Sequence, residues 1–201
     1  MGRTFTTEAR RSQIVRAAIE TIAGLGYEKA SFARITERAG LSSPRMISYH
    51  FADKDDLLRQ VVIEVFGMAS ERMTPVIDAE PTMTGKLRAY LETNLRFLRD
   101  HPLEITALTE IGPHLRGDDG AAYTSTGSQD HSVTGLAEIL ADGQRTGEFR
   151  DFDVRSMAVL IRASIDAAAQ RVRDGSDVDL DTYATEVVTA IDLAVRAGGP
   201  A

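Results

Sequence analysis

Several side chains that can donate hydrogen bonds are concentrated in one short stretch, TERAGLSSPRMISYHFADKDDLL, residues 36–58. Within it, Arg45, Ser48 and Tyr49 have the spacing that places side chains on one face of a helix, while Ile47 and Phe51 share an apolar face. Guanidinium, hydroxyl and phenol groups are donors suited to phosphate oxygens and base edges. The chemistry that this stretch predicts is therefore binding of a nucleic acid.

The elements that would position these donors are two short helices joined by a tight turn. Gly40 stands where a helix needs a left-handed terminating residue, and Leu41 supplies the apolar contact that follows such a stop. Ser42 or Ser43 is expected to be the N-cap of the next helix, with Pro44 at its first position. This is the pattern of a helix-turn-helix, whose second helix can enter the major groove of DNA.

Polar residues at the starts of the neighbouring helices add possible phosphate contacts. Asp53 and Asp56 predict a capping box at the start of a long helix near Lys54. Lys54 and the amides of that first turn can then hold a backbone phosphate. Ser31 is expected to cap the preceding helix, and with Arg34 it is a further possible phosphate contact.

Motifs within and around this stretch are Ile14-x-x-Ala17-Ala18, Gly26-Tyr27, Ser31-x-x-x-Ile35, Ala39-Gly40-Leu41-Ser42, Ser48-Tyr49-His50-Phe51 and Lys54-x-x-Leu57. Together, over about the first third of the chain, they resemble the N-terminal DNA-binding domain of the TetR family of bacterial transcriptional repressors. The link before Tyr49 is one residue longer than the family's usual spacing. The resemblance implies a phosphate contact at His50, which could equally pack beside Phe51. The predicted DNA-binding residues are Ser31, Arg34, Ser42, Ser43, Arg45, Met46, Ser48, Tyr49, His50 and Lys54.

Length and composition bound the architecture. The chain has 201 residues, of which 43% are hydrophobic and 6% aromatic, with no Trp, as is typical of an all-α globule built on aliphatic side chains. We expect a helix-turn-helix domain over residues 1–53 and a larger helical effector-binding and dimerisation domain over residues 54–201. Apolar periodicity predicts helices over about residues 7–25, 54–73, 84–99, 102–111, 133–146, 154–173 and 180–196. Pro75, Pro81 and Gly85 predict a loop after the second of these, and residues 114–132 predict another.

The net charge of -7 is unevenly distributed along the chain. Residues 1–60 carry 10 Lys or Arg against 7 acidic residues, whereas the remainder carries 13 against 23. A local basic patch attracts and holds phosphate, and an acidic remainder discourages DNA from wrapping around the rest of the molecule. The basic end is therefore the predicted DNA-binding end.

Catalytic and metal-binding patterns are missing from the sequence. There is no Cys, and the four His residues lack metal-ligand spacing. No H-E-x-x-H, G-x-S-x-G, P-loop or G-x-G-x-x-G motif occurs, so we expect no enzyme, metal or cofactor. Residues 174–179, DGSDVD, favour a capped turn over a calcium loop because the closing Glu is missing. Apolar runs are too short to span a bilayer and no signal peptide is evident, so we expect a soluble cytoplasmic protein.

The middle helices predict a second function, binding of a small molecule. Their side chains include apolar and a few polar groups that could line a largely apolar cavity, although each could equally be core or surface. By resemblance, the family binds an inducer in this region, and the ligand alters the separation of the two recognition helices. The candidate ligand-binding residues are Met68, Arg72, Tyr90, Asn94, Phe97, Leu98, Leu108, Thr109, Tyr123 and Phe149.

The last two predicted helices carry heavy apolar stripes, and Ala167, Ala168 and Ala169 permit close approach of another helix. By resemblance to the family's four-helix interface, and because a two-fold operator requires a two-fold protein, we expect a homodimer here. The alternative is that these stripes form only the core of a monomer. The candidate interface residues are Leu160, Ile161, Ile165, Ala168, Val172, Val187, Val188 and Ile191.

Together these features predict a homodimeric transcriptional regulator that binds a palindromic operator and is released by a small, largely apolar effector. A repressor is favoured, and an activator is the nearest alternative. Two other classes stay open: a helical small-molecule-binding protein without sequence-selective DNA binding, and an enzyme without recognised motifs.

Overall fold

The computed structural model describes residues 2–116, 131–177 and 179–198. Over these residues the chain forms nine α-helices and no β-strand, which confirms the all-α prediction. The helices are α1 Gly2–Leu25, α2 Phe32–Arg38, α3 Arg45–His50, α4 Lys54–Asp78, α5 Met83–Asp100, α6 Pro102–Ile111, α7 His131–Thr146, α8 Val154–Arg173 and α9 Leu180–Val195.

Two of the helix boundaries differ clearly from the sequence-based prediction. Helix α1 begins at Gly2 instead of near residue 7, since no proline or further glycine interrupts the first turns. Helix α4 continues through Pro75 to Asp78, so the loop predicted at Pro75 was wrong. Proline removes one backbone hydrogen bond, but Glu71, whose carbonyl loses its donor, is exposed, so water can reach that carbonyl. Ala79 N still donates to Pro75 O at 3.2 Å, which keeps the next turn helical.

Contacts divide the described residues into two units. The N-terminal unit contains residues 2–67 and 102–116, which are α1, α2, α3, the first part of α4, and α6. The C-terminal unit contains residues 68–101 together with the described residues from 131 onward. These residues form the last part of α4 and the whole of α5, α7, α8 and α9. Helix α6 packs against α1, although it lies far from α1 in the sequence.

The N-terminal unit is organised around a small aliphatic core. Its four N-terminal helices each contribute residues at helical spacing, and burying such side chains stabilises the unit by about 1.5–3 kcal/mol each. The buried residues include Ile14, Ala18, Ile22, Ile35, Ile47, Phe51, Leu57, Leu58, Val61 and Val65.

In the C-terminal unit, helix α5 is the central element. It packs against α7, α8 and α9, and its apolar residues recur at every third or fourth position. The buried residues on these helices include Leu87, Leu91, Leu95, Leu98, Leu136, Leu140, Met157, Ala158, Ile161 and Ile165. The residues of α9 named in the sequence analysis are only partly buried.

Phe149 lies after α7 and folds back onto it. Its backbone amide donates to Gly143 O at 3.0 Å, and a Cβ atom built on Gly143 would lie 2.0 Å from ring atom Cδ2 of Phe149. Gly143 is therefore required by the close approach of the aromatic ring to the helix, and not by any unusual backbone angle.

We predict that Gly143→Ala lowers the free energy of unfolding by about 1–3 kcal/mol, because the added methyl group must displace the buried Phe149 ring. Gly135→Ala, on the same helix, is the control: nothing lies within 4 Å of its Cβ position. That variant should be stabilised by up to about 1 kcal/mol through helix propensity. Urea unfolding followed by circular dichroism measures the free energy of unfolding of both variants. Equal changes in the two variants would contradict the packing argument.

Glu148 supplies acceptors to the start of α5 from a position remote in sequence. Its two carboxylate oxygens accept from Met83 N at 3.0 Å and from Thr84 N at 2.9 Å. These hydrogen bonds hold the pKa of Glu148 below its ordinary value of 4.5, and the bond from Thr84 has the largest effect. The ionised carboxylate therefore stabilises the folded state above pH 4.5, and this contribution is lost as the pH falls through the lowered folded-state pKa.

We predict that Glu148→Gln lowers the free energy of unfolding by about 0.5–1 kcal/mol near neutral pH, as for loss of a helix cap. The difference from the unsubstituted protein should shrink as the pH falls below 4.5. Urea unfolding over a pH series measures this difference, with the exposed Glu138→Gln as the control. A difference that stays constant across the series would refute the role of the ionised carboxylate.

Candidate nucleic-acid interface

Helix α3 has one face in the core and one face in solvent, as predicted. Ile47 and Phe51 are buried, whereas Arg45 and Ser48 are exposed and Tyr49 is 79% exposed. The donor groups of these three exposed residues therefore face outward from the N-terminal unit.

The turn before α3 is fixed by the end of α2. Gly40 has a φ of +64°, in the left-handed region, which confirms its predicted role. Leu41 N donates to Thr36 O at 3.0 Å and Gly40 N to Glu37 O at 3.1 Å, the two bonds of a Schellman motif. This motif ends α2 and directs the chain into α3.

The predicted N-cap of α3 was wrong by one or two residues. Pro44 is the N-cap, and no side chain caps the helix. The carbonyl of Ser43 accepts from Met46 N at 3.1 Å, and the hydroxyl of Ser42 contacts the sulfur of Met46 at 3.5 Å. Because the first turn of α3 is tight, a backbone carbonyl accepts the amide hydrogen bond that a serine hydroxyl would accept as a cap.

The predicted caps of α2 and α4 are confirmed. The hydroxyl of Ser31 accepts from Arg34 N at 3.4 Å. Asp53 Oδ1 accepts from Asp56 N at 2.8 Å, as predicted, while Asp56 Oδ2 accepts from Ala52 N at 2.9 Å, so the returning bond of the predicted capping box goes to the residue before the N-cap. These caps fix both helices that flank the turn and α3.

Lys54 is engaged within the N-terminal unit. Its ammonium donates to Tyr27 O at 3.0 Å and lies 3.9 Å from the centroid of the Tyr27 ring. Tyr27 also stacks on His114 with ring centroids 3.7 Å apart. Lys54 thus holds the loop after α1, and its phosphate contact stays a prediction.

A groove of about 360 Å³ lies between the N-terminal part of α1 and the exposed side of α3. Two of its residues, Thr7 and Arg10, are not in the predicted DNA-binding set. They could have been predicted from the sequence, because residues three apart on an amphipathic helix share one face. The other lining residues belong to the predicted set. The groove is lined by Thr7, Arg10, Arg45, Met46, Tyr49 and His50.

The pKa of His50 is lowered from its ordinary value of 6.5 by burial first, and then by the positive charges of Arg11 and Arg10. His50 is therefore neutral at neutral pH. The positive charge beside α3 therefore comes from the neighbouring arginines.

Arg11 has a structural role that its sequence context did not predict. Its Nη1 donates to His50 O at the end of α3, and its Nη2 donates to Gln60 Oε1 of α4 at 3.2 Å. Its guanidinium carbon lies 4.4 Å from the centroid of the Phe51 ring. Arg11 therefore joins α1, α3 and α4, and it positions the C-terminal end of α3.

The candidate ligand-binding residues are distributed over both units. Tyr90, Phe97 and Leu98 are buried on α5, and Asn94 is partly buried there. The remaining residues have varied surroundings. Met68 and Arg72 lie on α4 with Arg72 exposed, Leu108 and Thr109 lie on α6 in the N-terminal unit, Phe149 packs on α7, and Tyr123 lies outside the described residues.

Arg162, which is not in the predicted set, contacts two of its residues. Arg162 lies on α8 and is 8% exposed, and its Nη1 donates to Tyr90 Oη at 3.2 Å and to Asn94 Oδ1 at 3.3 Å. Its burial could have been predicted from the sequence, because it stands four residues after Ala158 and three before Ile165, on the apolar face of α8.

The candidate dimer residues separate into inner and outer groups. Ile161, Ile165 and Ala168 are buried within the C-terminal unit, so they belong to its own core. Leu160 is 62% exposed, and Leu193, not in the predicted set, is 66% exposed. Four others are only partly buried: Val172, Val187, Val188 and Ile191.

Three features of the described residues bear on other functions. Within the described ranges, no three His, Asp or Glu side chains are close enough to hold a metal ion. Asp179 caps α9 by accepting from Asp181 N and Thr182 N, so the aspartate-rich segment before α9 ends in the predicted capped turn. None of the described helices has the length and apolar character needed to cross a membrane.

The fold and this site define an all-α protein with an N-terminal helix-turn-helix, the class of DNA-binding regulators. Comparison with known proteins agrees, because residues 14–61 match the family model of bacterial regulatory proteins, tetR family. The N-terminal part of the chain therefore matches the DNA-binding domain of the TetR family, as the sequence motifs indicated.

A curated relative and two solved structures are similar over most of the chain. The fatty acid metabolism regulator protein of Bacillus subtilis is 29% identical over 159 residues, covering 77% of this chain and 78% of that protein. The transcriptional regulator FadR from Bacillus subtilis, solved with stearoyl-CoA, has a TM-score of 0.73 at 23% identity, covering 90% of this chain and 96% of that one. AibR, solved with isovaleryl coenzyme A and operator DNA, has a TM-score of 0.76 at 18% identity, covering 90% and 97%. The two structures share the fold.

We predict that Arg11→Gln weakens binding to a selected operator by about tenfold, because α3 loses the contact that fixes its C-terminal end. The dependence of affinity on salt should stay unchanged, since no phosphate contact is removed. Fluorescence anisotropy with specific and random duplexes measures both, with the exposed Arg16→Gln of α1 as control. A salt slope reduced by about one would instead mean that Arg11 contacts a phosphate directly.

Proposed function

We propose that this protein is a ligand-responsive transcriptional repressor that binds a palindromic operator as a homodimer and is released by a small-molecule effector. It is not an enzyme, and it acts on the chromosome in the cytoplasm. The single observation that carries the proposal is the exposure of Arg45, Ser48 and Tyr49 on a helix whose opposite face is buried.

In this proposal, the exposed residues of α3 read the major groove. Arg45 can form a bidentate pair with guanine, while Ser48 and Tyr49 contact neighbouring base edges or phosphates. Thr7 and Arg10, across the groove from α3, add backbone contacts. The remaining contacts position the protein on the duplex: Ser31, Arg34, Ser42, Ser43, Met46, His50 and Lys54.

Residues 1–53 act as the DNA-binding domain and residues 54–201 as the effector-binding and dimerisation domain. Two copies are required because a palindrome repeats its half-site, and the two α3 helices must enter successive major grooves about 34 Å apart. Exposed Leu160 and Leu193, on the two C-terminal helices, support a dimer surface there. The partly buried valines and isoleucine of the predicted set extend this surface.

Acyl compounds are the first effectors to test. The similar FadR and AibR were each solved with an acyl coenzyme A, and in this chain Tyr90, Phe97 and Leu98 give α5 an apolar face with a polar group. An effector releases the operator only if it binds one arrangement of the two recognition helices better than the other.

We predict that Arg45→Ala reduces affinity for the selected operator by about 1–3 kcal/mol, with a much smaller loss on random DNA, because a base contact is removed. Genomic fragments selected by the purified protein provide the operator, and fluorescence anisotropy at fixed salt gives both affinities. Arg88→Ala, an exposed arginine of α5, is the control for loss of one positive charge.

Equal losses on specific and random DNA would refute the base-reading role of Arg45. If the protein without effector prefers no duplex over bulk competitor, the alternative of a ligand-binding protein without sequence-selective DNA binding is favoured. Transcription from the selected promoter, measured with and without the protein, separates a repressor from an activator.

A further inference from the structure

Arg162 places a positive charge inside the apolar layer between α5 and α8. The residues before and after it on the same face of α8, Ala158 and Ile165, are fully or almost fully buried. Taking a guanidinium out of water is costly, so its partners must compensate for lost hydration.

The partners of Arg162 include three side chains from two helices. Nη1 donates to Tyr90 Oη at 3.2 Å and Asn94 Oδ1 at 3.3 Å, and Nη2 lies 3.1 Å from Asp166 Oδ1. The contact with Asp166 lies within ordinary hydrogen-bond range, and it joins two residues one turn apart on α8.

The orientation of this cluster is set by the fold. Asn94 Nδ2 donates to Tyr90 O at 2.8 Å within α5, so the amide oxygen of Asn94 is directed to Arg162. The Asp166 side chain is 30% exposed, whereas that of Arg162 is 9% exposed. The negative charge is thus nearer to water than the positive charge, and it can leave the pair at lower cost.

A structural role alone accounts poorly for this arrangement. Replacing a buried ion pair by apolar side chains of similar volume is often neutral or stabilising. The planar guanidinium is instead well matched to a carboxylate, which it binds through two parallel hydrogen bonds. A ligand that displaces Asp166 must also bring negative charge, because a neutral oxygen would leave the buried cation uncompensated.

We propose that Arg162 and Tyr90, oriented by Asn94, bind the carboxylate of an effector with an apolar body, such as a medium-chain monocarboxylic acid, and that this carboxylate displaces Asp166 from Arg162. The inference rests on the proposed function, which requires an effector, and it identifies the head group of that effector. It selects the free acid over the neutral thioester of the corresponding acyl coenzyme A.

Calorimetry with the full chain tests the proposal on octanoate, decanoate and dodecanoate, with 1-decanol, decylamine and decanoyl coenzyme A as comparisons. At least one acid should bind at least about tenfold more tightly than the alcohol, and the amine should not bind. Arg162→Gln should weaken binding of the acid by at least about tenfold and leave the alcohol unchanged. Arg155→Gln, an exposed arginine on the same helix, is the matched control.

Two further variants keep the test decisive if Arg162→Gln does not fold. Asp166→Asn should strengthen binding of the acid, because the competing carboxylate is removed, and a merely structural pair does not predict this gain. Tyr90→Phe should weaken binding of the acid by about fivefold through loss of one hydrogen bond. Circular dichroism confirms that each variant is folded, and unchanged or reduced acid affinity in Asp166→Asn would overturn the proposal.

Other outcomes are equally decisive. If none of the acids binds, or if decanoyl coenzyme A binds more tightly than decanoate and independently of Arg162, the inference is wrong. Operator binding measured without any ligand then shows separately whether the proposed regulatory function stands. If the protein without ligand shows no sequence-selective DNA binding, the proposed function is wrong. The calorimetric result for Arg162 would still apply to ligand recognition.

Discussion

The packing of α3 on the N-terminal core is the constraint on which DNA recognition depends. A helix of six residues is far too short to be stable in water by itself, so its conformation must come from tertiary contacts. Burial of Ile47 and Phe51 supplies those contacts, and Arg11 fixes the carbonyl at the helix end. The exposed donors have a defined direction only because the opposite face is held in this way.

The same N-terminal unit also contains α6, and Tyr27 connects it to the helices around α3. Glu110 of α6 accepts from Tyr27 N at 3.2 Å, and the Tyr27 ring stacks on His114 just after α6. Lys54, at the start of α4, donates to the carbonyl of Tyr27. A displacement of α6 would therefore act on the loop after α1 and on the start of α4 through direct contacts. This loop, together with the direct packing of α6 on α1, is where a conformational change in α6 would reach the DNA-binding helices.

Sequence periodicity predicted the helices well, because each must bury an apolar stripe, and local caps such as Gly40 and Asp53 depend only on neighbouring residues. It failed where the deciding partner is distant along the chain. The partners of Arg11 are up to 49 residues away, and those of Arg162 up to 72. Helix α8 shows a further limit: Leu160 and Ile161 are adjacent apolar residues, and only the packed fold distinguishes the exposed one from the buried one.

Arg11 and Arg162 illustrate how partner chemistry separates positioning from recognition. Two of Arg11's contacts, a backbone carbonyl and the buried Phe51 ring, are fixed by the fold, so its bonds persist as long as the unit is folded. Arg162 instead pairs with the carboxylate of Asp166, a partly exposed side chain one helical turn away. A buried cation with an exchangeable counter-ion adds little stability compared with an apolar side chain, whereas it discriminates strongly between anionic and neutral ligands. On this physical ground, the charge at position 162 is better explained by selection of a ligand than by stability of the helical layer.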